Sequence, residues 1–208
     1  MEALVPELQA RRVALRRPSE EFAGRLTPIL NASYELHRRF LGWAKPSWTV
    51  VEVAERLRVA REKFDAREEE VRYYVFDRDD LVGCVGVFLI NVRIPYVELG
   101  YWTGAEHSRR GYATDAVNLL RHTLQRAGAR RVEVCCSGSN LASHQVALNA
   151  GFMRLPFATP ASMSGHGPWQ IAAMGLPVAA NSRMKAIDSL LSLSWSGLAT
   201  PPGSTSAS

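Results

Sequence analysis

The three cysteines in this 208-residue chain do not form a disulfide framework or a metal centre. Cys84, Cys135 and Cys136 have no ligand spacing and lie in apolar stretches, where cysteine behaves as a small hydrophobe. The adjacent pair would point to opposite faces of a strand. His37, His107, His122, His144 and His166 form no HExxH or comparable pattern, so no metal is expected. No apolar run reaches the roughly 18 residues that span a bilayer. The polar segment from Met1 to Arg17 is not followed by an apolar one, so the chain is expected in the cytoplasm with no membrane partner. Internal repeats are also missing.

Charge of one sign is not concentrated either. The formal charge is +5, with basic and acidic residues interleaved as in Arg56 to Glu70. That mixture reads as a solvated helix face and argues against nucleic acid as a partner, because no recognisable reading element accompanies it. The small positive excess still favours the approach of an anionic ligand such as a nucleotide cofactor.

What is present is a globular composition, 47% hydrophobic and 22% charged over the whole chain, and one domain is expected up to about residue 178. Val13 and Leu15 alternate with polar neighbours, as in a short strand. Phe22, Leu26, Ile29, Leu30, Leu36 and Phe40 recur at near-helical spacing, and Pro28 is expected to divide that stretch into two pieces. Thr49 and Glu52 have the spacing of a capping box. They open a charged helix to about Arg67, whose apolar stripe is Val50, Val53, Leu57, Ala60 and Phe64. Val71 to Phe76, Leu81 to Ile90 and Ile94 to Trp102 are three strands with no helix between them, which predicts an antiparallel meander.

Beyond Trp102 the period changes. Ala116, Leu119, Leu120, Thr123 and Leu124 mark a helix ending near Gly128. Val132 to Cys136 is a strand, Asn140 to Leu148 a second helix closed by Gly151, and Phe152 to Phe157 and Trp169 to Val178 two last strands around the loop Ala158 to Pro168. Residues 179–208 are rich in Pro, Gly, Ser and Thr and read as a short helix followed by disorder. This tail is a dimer contact, a lid or a spectator.

Ser108-Arg109-Arg110-Gly111-Tyr112-Ala113 stands where the third strand of the meander gives way to the long helix. It combines two cations, a glycine that permits close backbone approach and the free amides of a helix start, which suits an anion. A structural helix-starting loop has the same appearance. Asn140 is a preferred N-cap residue, and Ser143 is a hydroxyl in the following first turn. Glu98 is a carboxylate in an otherwise apolar strand, either paired with an arginine or kept as a base with a raised pKa. His107 touches a ligand or merely caps its loop. Tyr34, Trp43 and Trp48 line an acceptor cleft or simply pack.

The order of these elements, with "ELGYW" at Glu98 to Trp102, "GYATDA" at Gly111 to Ala116, "NxxS" at Asn140 to Ser143 and Asn149-Ala150-Gly151-Phe152, resembles the GNAT N-acetyltransferases. Within that superfamily it is most similar to the RimJ/RimL branch of ribosomal-protein N-terminal acetyltransferases. The resemblance implies a GNAT fold at residues 1–178: an α/β (α+β) architecture with a mixed, mostly antiparallel sheet of about seven strands flanked by helices. It implies acetyl-CoA as co-substrate, with its pyrophosphate on the amides of Arg109, Arg110, Gly111, Tyr112 and Ala113 and an added hydroxyl from Thr114. Ser108 stands where the family usually has glutamine or arginine. The resemblance further gives Asn140 a contact to the pantetheine arm, Ser143 the role of proton donor to the departing thiolate, and Glu98 the role of proton acceptor. A backbone amide of the third meander strand would face the oxyanion. The implied partner is an amine acceptor, a protein N-terminus or a small molecule. A catalytically silent acyl-CoA-binding regulatory module of the same fold is the alternative.

Overall fold

The computed structural model describes residues 5–68, 70–91, 96–153 and 169–175. Seven strands form one sheet in chain order: β1 (Glu7–Gln9), β2 (Ala14–Arg16), β3 (Glu70–Asp77), β4 (Asp80–Asn91), β5 (Tyr96–Thr103), β6 (Arg131–Ser137) and β7 (Trp169–Gly175). The helices are α1 (Ala23–Ala32), α2 (Tyr34–His37), α3 (Val50–Ala66), α4 (Tyr112–Arg126) and α5 (Leu141–Asn149). All neighbouring strands are antiparallel except β5 and β6. Their connection passes through α4, the crossover that a parallel pair requires.

Strand alternation sorts the side chains into two layers. On one face Val71, Tyr73, Val75, Val97, Leu99, Val132 and Val134 meet Ala116, Val117, Leu120 and Leu124 of α4. On the other, Tyr74, Phe76 and Cys84 meet Leu26 and Leu30 of α1 and Val53 and Leu57 of α3. The expected meander is present as β3, β4 and β5. The capping box forms in full, with the Thr49 Oγ1 accepting from the Glu52 amide and the Glu52 carboxylate accepting from the Thr49 amide.

Several expectations change. Pro28 does not divide the first helical stretch. It lies inside α1, and the break falls at Ser33. The carbonyl that loses its donor belongs to exposed Gly24, where water can replace the bond. β1 is an additional edge strand, paired with β2 through Leu8 and Leu15. Val50 is half exposed, so the buried stripe of α3 begins at Val53. Phe152 and Met153 are not in a strand, and the rest of that expected strand, the loop 158–168 and the tail 179–208 lie outside the described residues. Among the described residues no helix is long and apolar enough to cross a membrane.

Candidate active site

β5 and β6 pair only from Tyr96 and Arg131 to Leu99 and Val134. Beyond those residues they part, while β6 stays paired with β7 as far as Ser137. The strand edges facing each other across this gap have no strand partner from Gly100 onward. A wedge of unpaired backbone inside a sheet can take an extended ligand that supplies the missing donors and acceptors.

The loop from β5 to α4 closes one end of the wedge. Arg109 (φ 60°) and Gly111 (φ 85°) both have left-handed backbone, and α4 begins at Tyr112 with no side chain capping it. An uncapped start leaves the first amides free, at the end of a 15-residue helix that carries about half a positive charge. Arg109 and Arg110 are exposed beside it. The Tyr112 side chain turns inward, where its hydroxyl donates to Asp77 Oδ2 at 2.7 Å. Its part in any ligand contact therefore falls to its backbone. The Ser108 hydroxyl lies 3.4 Å from the Gly104 carbonyl, so it is turned back into its own loop. His107 packs edge-on against Tyr112 with ring centroids 6.1 Å apart.

Arg12, between β1 and β2, was not singled out from the sequence. Its Nη2 donates to the Arg110 carbonyl at 2.6 Å, its Nη1 lies 3.4 Å from Asp115 Oδ2, and its guanidinium stacks 4.2 Å from the centroid of Tyr112. One side chain thus braces the β5–α4 loop on both sides of Gly111. An arginine about a hundred positions away carries no local signal of this.

Glu98 faces the α1/α3 side of the sheet, directly opposite Glu133 in the parallel register. Burial raises its pKa first and the like charge of Glu133 adds to that, while a hydrogen bond from the Cys135 thiol works the other way. Glu133 is itself buried and engaged by Tyr96 and Arg131. Of the two readings of Glu98, the neighbours favour a carboxyl group of raised pKa over an arginine pair.

Asn140 Oδ1 accepts from the Ser143 amide at 3.1 Å, so it is an N-cap. Its Nδ2 is left to serve another partner. On the opposite side of β5 from Glu98, the Tyr101 hydroxyl lies 2.8 Å from the Ser143 carbonyl and 2.9 Å from Ser143 Oγ. The carbonyl can only accept, so Tyr101 donates to it and Ser143 donates to the Tyr101 oxygen. Tyr101 is a second residue at this point that was not singled out from the sequence. Burial raises its pKa above the ordinary phenol value. Ser143 and Glu98 are therefore on either side of one strand, with Tyr101 behind the serine.

Trp43 and Trp48 line a cavity between α3 and the sheet together with Trp102, whereas Tyr34 lies apart, beneath Arg38. Among the described residues no group of three or more His, Cys, Asp or Glu side chains could hold a metal ion.

Among the described residues the sheet parts between its one parallel pair, next to an uncapped helix start, which leaves a slot of unpaired backbone beside free helix amides. Residues 12–153 match the acetyltransferase (GNAT) domain family, and the chain belongs to it. The ribosomal-protein-serine acetyltransferase of Escherichia coli (strain K12) is 32% identical over 82 residues, 39% of this chain and 46% of that protein, so the match spans about half the relative's length. The microcin C7 self-immunity acetyltransferase MccE, solved with acetyl-CoA and AMP, superposes with a TM-score of 0.71 at 18% identity, covering 84% of this chain and 99% of that one. RimL, a ribosomal L7/L12 α-N-protein acetyltransferase solved with coenzyme A, gives a TM-score of 0.68 at 17% identity, covering 80% and 94%.

Proposed function

We propose that this chain is an acetyl-CoA-dependent N-acetyltransferase that moves acetyl to a primary amine, on a protein N-terminus or a small molecule, by direct attack in a ternary complex. The observation that carries the reading is the coincidence, at one point, of the parted β5/β6 pair and the uncapped start of α4. The first is a slot for an extended arm with amide groups, and the second is a seat for a pyrophosphate. Free amides from Arg109 to Ala113 hold the anion, with Arg109 and Arg110 adding charge. Thr114 extends the same turn. Asn140 Nδ2 serves the pantetheine arm while Oδ1 caps α5, and Ser108 acts through its backbone.

Acetyl-CoA supplies an activated thioester, and the residues manage two protons. Glu98 takes a proton from the ammonium form of the acceptor, a task its raised pKa suits. An N-terminal α-amine, with a pKa of about 7.7 to 8.0, yields it more readily than a lysine near 10.4. Ser143 turns its hydroxyl proton from the Tyr101 oxygen to the thiolate and regains one from solvent. A backbone amide of β5 facing the gap stabilises the oxyanion. The ribosomal-protein relative makes peptide N-termini the first acceptors to try.

The test is thiol release from acetyl-CoA across N-terminal peptides and small amines, with wild type, Glu98→Gln and Ser143→Ala. Turnover on at least one acceptor, lost by 10²-fold or more in Glu98→Gln, is expected. Tight acetyl-CoA binding with no turnover on any acceptor would instead identify a silent acyl-CoA-binding module.

A further inference from the structure

Tyr101 links the two sides of the gap between β5 and β6. It lies two residues beyond Leu99, where the pairing of these strands ends, and faces the same side of the sheet, packed against the core beneath α4. From there its hydroxyl reaches Ser143 in the first turn of α5, the helix that follows β6. The two contacts, 2.8 Å to the carbonyl and 2.9 Å to Oγ, join one edge of the gap to the element that continues the other.

The start of α5 depends on such a link. The buried apolar residues of this segment are Ala147, Ala150 and Phe152, all towards its end, whereas Leu141 is 73% exposed. Polar bonds hold the first turn instead. Asn140 caps the Ser143 amide, and His144 Nε2 donates to the Ser137 carbonyl at 3.1 Å. Both partners lie in the connection from β6 to α5, so they shape the turn without fixing its distance from β5. Tyr101 supplies that restraint. It also restrains the serine side chain, whose hydroxyl otherwise has three staggered positions and can turn back to a carbonyl of the preceding turn. When the Ser143 hydrogen turns to a thiolate in the gap, the Tyr101 hydrogen can turn from the carbonyl to Oγ and keep that oxygen in place. The proton given up forms the S–H bond, and the serine oxygen regains one from solvent.

We propose that Tyr101 is a positioning residue for acetyl transfer: it holds the Ser143 hydroxyl and the first turn of α5 at one place across the gap, where the serine meets the departing sulfur. The inference rests on the acetyl transfer proposed above and on the role given there to Ser143. Tyr101 acts through the serine and touches neither substrate.

The test is a double-mutant cycle in kcat and KM, read by thiol release, for wild type, Tyr101→Phe, Ser143→Ala and the double variant. Tyr101→Phe should lower kcat at least tenfold and leave KM for acetyl-CoA within twofold. The double variant should be no more than twofold slower than Ser143→Ala, because the tyrosine has nothing left to position. A general loosening of the sheet would instead multiply the two losses. Tyr73→Phe is the matched control, since it removes a hydroxyl that donates to the Val5 carbonyl at 2.8 Å on the same face of the sheet, and its kcat should stay within twofold of wild type. An unchanged kcat in Tyr101→Phe, or losses that multiply in the double variant, would overturn the inference. Crystals with coenzyme A give a readout that needs no acceptor. Ser143 Oγ should lie within about 3.5 Å of the sulfur in wild type and be displaced or split between positions in Tyr101→Phe. The same serine position in both would equally overturn the inference. Wild type without turnover on any acceptor would remove the transferase reading, and the crystal comparison alone would then decide the role of Tyr101.

Discussion

Replacing Arg12 with alanine removes a brace from the β5–α4 loop, the proposed pyrophosphate seat, without touching the sheet core. Its bond to the Arg110 carbonyl, a charged donor on a neutral acceptor, is worth about 1.5 kcal/mol. Stacking on Tyr112 adds roughly 0.5 kcal/mol at an exposed position. The ion pair with Asp115 contributes little, because the two side chains are 44% and 38% exposed. These terms share one loop and do not add fully, so the expected cost is about 1.4 kcal/mol, a tenfold weaker Kd for acetyl-CoA. The effect should follow the pyrophosphate. Calorimetric titration with acetyl-CoA and with S-acetylpantetheine, which lacks the pyrophosphate, separates a loop effect from a general one. Arg12→Ala should weaken the first about tenfold and leave the second within twofold, and Arg12→Lys, which keeps charge but loses the planar fork, should fall between. Equal losses for both thioesters, or none for acetyl-CoA, would show that Arg12 does not act through the pyrophosphate seat.

Gly111→Val should weaken acetyl-CoA binding at least tenfold by calorimetry, since a Cβ there needs φ near 85° and comes within 3.4 Å of Arg12 Nη1. For Glu98, whose pKa is raised by burial, kcat/KM should climb with pH along a limb above the ordinary carboxylate range. Glu98→Gln should abolish that limb while leaving the melting temperature equal or higher, because a desolvated charge is removed. Buried His37, whose Nε2 donates to the Thr103 carbonyl at 3.0 Å, has its pKa lowered by desolvation. Its contribution to stability is complete above the unfolded value near 6.5 and is lost as pH falls below it, where the unfolded chain binds the proton more readily. Melting temperatures at pH 7.5 and pH 5 should therefore differ more for wild type than for His37→Gln.

Local chemistry was legible in the sequence wherever one segment decides it. The capping box at Thr49 and Glu52, the cap at Asn140 and the helix-starting glycine at Gly111 are settled within a few residues, and alternation gave β3 to β5 their faces. Glu98 stood out as a carboxylate among apolar neighbours. Contacts that join distant segments left no such trace. Arg12 reaches Arg110 across 98 positions and Tyr101 reaches Ser143 across 42, and each looks like an ordinary surface or packing residue in its own segment. The Glu98–Glu133 pairing appears only once β5 and β6 are set in parallel register. Pro28 was misjudged because its cost depends on whether the orphaned carbonyl meets water, which the helical period does not encode.

A crystal structure of the complex would show whether acetyl-CoA occupies the parted strands with its pyrophosphate on the start of α4. Pyrophosphate oxygens should lie within hydrogen-bond distance of the amides from Arg109 to Ala113, and the thioester carbonyl between β5 and β6 beyond Leu99. A cofactor bound elsewhere, or one whose pyrophosphate leaves those amides to water, would contradict that placement.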